Sequence, residues 1–158
     1  MEIKRLEKHE LNKVAEIALE NFKGHDKHET ALKWTECNFN SHPRMQYFIA
    51  RENEEILGFI LWMEKGGFRK NSVWELEQIA VKKIHQGKGV GKILIKESLE
   101  EIKKHLKERG SKLKLIEVTT STDNDAQYIY RKHLGAEIEA VVKDFFRGDE
   151  VIMIKRFD

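Results

Sequence analysis

The chain predicts an α/β fold with a mixed, only partly parallel central sheet of about seven strands, flanked by about four helices. Three observations predict it. Short apolar blocks bounded by turn residues read as strands, and longer segments with helical apolar spacing read as helices. The two kinds interleave as β-α-α-β-β-β-α-β-α-β-β. The strand–helix–strand unit from Val73 to Thr119 calls for a right-handed crossover with parallel strands, whereas the hairpins require antiparallel neighbours.

Taken in order, Ile3 to Leu6 is a short strand. Leu11, Val14, Ala18, Leu19 and Phe22 follow helical spacing, with Gly24 as a stop. A second helix runs from about His28 to Phe39, ahead of Pro43. Met45 to Arg51 and Ile56 to Met63 form a hairpin around the polar turn Glu52-Asn53-Glu54-Glu55. After Gly66-Gly67, Val73 to Lys82 is a strand ending in Ile79-Ala80-Val81. The long helix from about Gly89 to Arg109 buries Ile95, Leu99, Ile102 and Leu106, and Gly110 caps it. Leu113 to Thr119 is a strand. Ser121 to Asn124 offer N-caps for a helix through His133, closed by Leu134-Gly135-Ala136. Two last strands, about Glu137 to Phe146 and Val151 to Phe157, join at Arg147-Gly148-Asp149.

At 158 residues the chain is most simply one domain, 1–158, long enough for a real core. Lys+Arg 29 against Asp+Glu 27 gives a net charge of +2, so no bulk charge points to nucleic acid or a membrane. Lys103, Lys104, Lys107, Arg109, Lys112 and Lys114 read as a solvated face. The single cysteine, Cys37, excludes an internal disulfide and is expected to be small and partly buried. The histidines lack zinc-ligand spacing, so no metal is expected. With no signal-peptide pattern and no apolar run near 20 residues, the expected location is the cytoplasm. Trp34, Tyr47, Trp62, Phe68 and Trp74 are candidates for the core or for cleft walls, and His25 and His28 for an acceptor cleft.

The most informative stretch is Gln86-Gly87-Lys88-Gly89-Val90-Gly91-Lys92, placed between a strand and a long helix. Glycines there leave backbone N–H groups bare at the positive end of the helix dipole, where a phosphate or pyrophosphate docks. The spacing is neither the Gly-x-Gly-x-x-Gly of dinucleotide folds nor a Walker A loop. Glycines alone also fit a tight turn with no ligand.

The flanks decide otherwise. Gln86-Gly87-Lys88-Gly89-Val90-Gly91 resembles the Gln/Arg-x-x-Gly-x-Gly/Ala signature of the GNAT superfamily of N-acetyltransferases. Glu117-Val118, Asn124, Ala126, Tyr130 and Leu134-Gly135-Ala136 resemble that family's second motif. Lys143 to Met153 is similar to the tail of members that acetylate protein N-termini, ribosomal-protein alanine acetyltransferases among them. The resemblance implies a sheet with splayed central strands and acetyl-coenzyme A as donor. It implies that Gln86 to Lys92 bind the cofactor pyrophosphate through their N–H groups. Main-chain groups of Ile79, Ala80 and Val81, with Asn124, would hold the pantetheine arm. The acceptor would be a primary amine, a protein N-terminus or a small molecule, and the assembly a monomer or homodimer.

Acetyl transfer to an amine needs a base for the amine and a proton for the leaving thiolate. Tyr130 resembles the family's general acid, although it stands five residues before Gly135 where four are usual. Glu75 and Glu77 share one strand face, because side chains alternate. By resemblance, Glu77 matches the base position of small-amine enzymes, Glu75 that of histone-type enzymes and Glu117 that of the ribosomal group. A water relay is a further option for the base. Cys37 lies outside both motifs, so direct attack is expected rather than an acetyl-cysteine. The contrasting expectation is a non-catalytic acyl-coenzyme A-binding regulator of the same fold.

Overall fold

A computed structural model describes residues 1–158. Seven strands form a mixed sheet in the order β1-β2-β3-β4-β5-β7-β6. The chain divides into two compact units, Met1–Trp62 with Gln78–Ser98, and Met63–Glu77 with Leu99–Asp158.

In the first unit, β1 (Glu2–Arg5) pairs antiparallel with β2 (Met45–Glu52), Glu2 opposite Arg51 and Arg5 opposite Phe48. β3 (Glu55–Lys65) contributes its length through Trp62, and β4 (Asn71–Val81) its last residues. Helix α1 (Leu11–Asn21) turns Leu11, Val14, Ala15, Ile17 and Ala18 inward. It ends before the expected Gly24, because Phe22 turns to extended backbone and packs edge-on against Phe59, 6.4 Å between rings. Helix α2 (His28–Phe39) has the bounds its spacing predicts. Cys37 on α2 is exposed, not partly buried, since it lies off the inward stripe of Ala31, Thr35 and Asn38. Helix α3 (Val90–Glu108) starts here and buries Leu94 and Ile95 completely. Trp62 is also fully buried, and its Nε1–H donates to Ser98 Oγ at 2.8 Å, so the indole enters the core with its donor satisfied.

In the second unit, β4 runs parallel to β5 (Lys112–Ser121), as the crossover requires. β5 pairs antiparallel with β7 (Glu150–Arg156), and β7 with the edge strand β6 (Glu137–Val142). β6 stops short of Phe146. Residues 143–149 form a wider connection in which Asp144 has φ +49° and Phe145 and Phe146 are exposed. Helix α4 (Ala126–Ile129) runs directly into one π turn over Tyr130–Leu134.

Arg109 is not part of a solvated face. Its guanidinium grips the buried Glu64 carboxylate through two bonds, 2.8 and 2.6 Å. The Ser72 hydroxyl also donates to Glu64, and Trp74 Nε1–H donates to Ser72 Oγ at 2.8 Å. Burial raises the Glu64 pKa, but Arg109 and Ser72 outweigh it and hold the carboxyl below its ordinary value. Of the candidate aromatics, Tyr47, Trp62 and Trp74 are core, whereas Trp34 and Phe68 are exposed. Leu99 on α3 is half-buried rather than buried. No helix is long and apolar enough to cross a membrane.

Candidate active site

The glycine turn lies in the first unit. A short 3₁₀ turn, Lys83–His85, leaves β4, and α3 begins at Val90. Gly87 and Gly89 have φ of +75° and +85°, a region that side chains resist, and a Cβ at either would meet nothing within 4 Å. Glycine is therefore needed for the backbone turn, and open space lies where side chains would project. Gly91 is different: it is an ordinary helical residue, with Ile79 Cδ1 3.9 Å from its would-be Cβ. The first helical bond runs from Ile93 N–H to Gly89 C=O at 3.2 Å, which leaves the amides of Val90, Gly91 and Lys92 ahead of the ladder. Gln86 does not face outward as a ligand group. Its Nε2 donates to Asn21 Oδ1 at 3.1 Å and Val81 C=O at 3.0 Å, while Lys83 N–H donates to Glu20 Oε2 at 3.1 Å. The end of α1 thus brackets the turn.

The carboxylates lie in the second unit. The β4–β5 register runs from Asn71↔Lys112 to Glu75↔Glu117 and ends there, although β4 continues to Val81 and β5 to Ser121. The strands part where the acidic residues sit. Lys65 Nζ bridges two of them, 2.7 Å from Glu117 and 3.2 Å from Glu75. Thr119 Oγ1 donates to the other Glu117 oxygen at 3.3 Å. Glu77 follows one alternation beyond Glu75 and hydrogen-bonds to it. Burial, then the charge and hydrogen bond of Glu75, push Glu77 up to about 7; Lys65 opposes this and Glu117 adds to it. Burial works against the charge on Lys65, but its bonds and attraction to Glu117 and Glu75 win, and its pKa lies above the ordinary value. The three candidate bases thus lie in one cluster around a lysine, and Glu77 is pushed up to about 7 there.

Tyr130 is buried, 7% exposed, and burial pushes its phenol up to about 12. It opens the π turn, which closes with Gly135 N–H bonded to Arg131 C=O and Ala136 N–H to Tyr130 C=O, both at 3.1 Å. Asn124 is committed within its own loop. Its Oδ1 accepts from Ala126 N–H and its Nδ2 donates to Thr120 Oγ1, both at 2.9 Å. Tyr128, by contrast, is exposed and bonded to Lys132.

The profile of the acetyltransferase (GNAT) family matches residues 11–136. The chain belongs to that family. It is 26% identical to an uncharacterised N-acetyltransferase of Methanocaldococcus jannaschii over 98% of its own length, and it spans 66% of the length of that protein. A ribosomal-protein-alanine N-acetyltransferase from Brucella melitensis shares the fold at a TM-score of 0.73, with 20% identity and coverage of 99% of this chain and 100% of the other. An aminoglycoside 6'-N-acetyltransferase complexed with coenzyme A superposes with a TM-score of 0.71 at 16% identity, covering 99% and 97%.

GNAT proteins use acetyl-coenzyme A, and the turn fits its pyrophosphate: free amides at a helix start, open space and no acidic side chain within Gln86–Lys92. The unusual Tyr130–Gly135 spacing also finds its physical reason. A π turn holds one residue more than an α turn, so the extra residue is taken up after Tyr130 and its ring stays buried. Two further residues carry no local sequence signal. Lys65 lies beyond the strand expected over Ile56 to Met63, and its partner Glu117 is 52 residues away. Gly58 was one strand residue among others, yet a Cβ there would stand 2.6 Å from Ala80 O, so only glycine lets β3 pass so close to the end of β4.

Proposed function

We propose that this protein transfers the acetyl group of acetyl-coenzyme A to a primary amine by direct attack while both are bound. The observation that carries the reading is the carboxylate cluster where β4 and β5 part, with Glu77 raised to about 7. A group with that pKa accepts a proton from an ammonium at neutral pH and leaves the amine nucleophilic. Glu75 and Glu117, tied to Lys65, are held in place beside Glu77, where both raise its pKa.

Acetyl-coenzyme A supplies the activated thioester. Gly89, Val90, Gly91 and Lys92 would receive its pyrophosphate on their amides, with Gly87 and Lys88 shaping the approach. Main-chain groups of Ile79, Ala80 and Val81 would receive its pantetheine arm. Asn124, whose side chain is spent within its loop, would act by holding that loop in shape. Tyr130 is the hydrogen-bond donor near the sulfur. Its phenol near 12 stays protonated at working pH, but it is weaker as an acid than a thiol of pKa about 8.5. It therefore stabilises the departing sulfur by hydrogen bonding and stays protonated, while the proton that the attacking nitrogen sheds to water balances the one that the thiolate takes up. Cys37, exposed on α2 and outside both motifs, takes no covalent part.

The family resemblance of the tail favours a protein N-terminus as acceptor, whereas the solved structures of this fold divide among ribosomal-protein, aminoglycoside and spermidine acetyltransferases. The test is a panel of peptides, amino acids, polyamines and aminoglycosides, assayed for thiol release from acetyl-coenzyme A. Release that depends on an amine and is lost in Glu77→Gln supports the reading. Tight cofactor binding with no release from any amine would make the protein a binder and not a transferase.

A further inference from the structure

Within the second unit, the turn after β3 and the starts of β4 and β5 enclose an open cleft of about 640 Å³. Lys65, Arg69, Lys70 and Lys114 line it together with Gly66, Asn71 and Val73, mostly through apolar surface such as their aliphatic stems, and no acidic residue does. Lys65 is committed to Glu75 and Glu117. Arg69 spends one guanidinium bond on Gly66 C=O at 2.8 Å. Arg69, Lys70 and Lys114 meet no carboxylate at ion-pair distance, in a protein with almost as many acids as bases. Their charge is thus available to a ligand.

This basic cleft and the acidic cluster share one strand face. Val73, Glu75 and Glu77 alternate on β4, so at a strand rise of about 3.3 Å per residue Glu77 lies roughly 13 Å from Val73. Lys65 belongs to both ends, with its Nζ on Glu117 and its side chain in the cleft. One pole therefore suits an ammonium and the other an anion, at a set separation.

We propose that the acceptor is bipolar: a peptide whose N-terminal amine reaches Glu77 while an acidic side chain a few residues on seats among Arg69, Lys70 and Lys114. This rests on the reading of Glu77 as the base of acetyl transfer. An extended peptide advances about 3.3–3.6 Å per residue, so the acid belongs about four residues along, at the third to fifth position. The cleft also works against polycations such as polyamines and aminoglycosides, which would set cation against cation.

The test uses the full chain and three peptides that differ only at positions three to five, bearing Asp, Asn or Lys, with spermidine as a fourth acceptor. Thiol release gives kcat/KM at low and at physiological ionic strength. The Asp peptide should lead the Asn peptide by about tenfold, mainly through KM, and its lead should shrink with salt. Combining Lys70→Glu with Lys114→Glu should reverse the order of the Asp and Lys peptides. Lys8→Glu, outside the cleft, should keep the original order and so separates the cleft from overall charge. Equal turnover of the three peptides, a lead for Lys or spermidine, or an order unchanged in the double variant overturns the bipolar acceptor and leaves acetyl transfer standing. Absence of thiol release with every amine overturns the underlying reading as well.

Discussion

A carboxylate becomes a base near neutrality when its ionisation is made costly, and Glu77 meets that condition through its neighbours. Burial removes water, and Glu75 and Glu117 add negative charge nearby. Lys65 is the one group acting in the other direction. Lys65→Met should therefore move the acid limb of the kcat/KM profile to higher pH, since Glu77 then ionises later, and Lys65→Arg should restore it. An acid limb that stays put in Lys65→Met would uncouple the lysine from the base. Tyr130 acts at the departing sulfur. Tyr130→Phe removes only the hydroxyl from a buried ring, so packing is kept, and kcat should fall about 10²-fold with little change in coenzyme A affinity. An unchanged kcat in this variant would remove the phenol from the reaction.

At the scale of elements, the site depends on how β4 leads into α3. Gly89→Val places a β-branched side chain where φ is +85°, and it fills the open space in front of the first helical amides. Coenzyme A affinity measured by calorimetry should drop at least tenfold, and Gly91→Ala, at an ordinary helical position, should be far milder. Equal losses in both would mean that the turn geometry is not what the cofactor needs. These elements were legible because their signals are local: alternation, helical spacing, glycines at a turn. Helix α2 from His28 to Phe39 and the parallel β4–β5 pair follow from such patterns. What escaped depends on partners distant in the chain. Arg109 looked like one more solvent-facing cation until Glu64, 45 residues earlier, was found beneath it. The end of α1 is set by Phe22 meeting Phe59, a contact no local rule contains. The candidate bases were each visible, but not that Lys65 gathers two of them, nor that Glu77 is pushed toward neutrality.

For the molecule as a whole, a base tuned by burial carries a cost in stability that pH should reveal. Between the ordinary carboxyl value of 4.5 and about 7, the folded state keeps a proton on Glu77 that the unfolded chain releases. Folding then binds more protons than unfolding, so this group's contribution to stability declines as pH rises through that window and is level above it. Glu64 acts with the opposite sign. Its pKa is held below the ordinary value, so its contribution is present above that value and is lost as pH falls. The two contributions thus run in opposite directions with pH. Glu77→Gln removes the first effect while nearly keeping the shape of the side chain. Its melting temperature should match the wild type near about pH 4, where Glu77 is protonated in both the folded and the unfolded state, and exceed it by a few degrees near about pH 8. The same variant should lose acetyl transfer, a trade of activity for stability at a single residue. A melting temperature at or below that of the wild type at the higher pH would mean that ionised Glu77 rests in the fold without strain, and the physical ground for calling it the base would be gone.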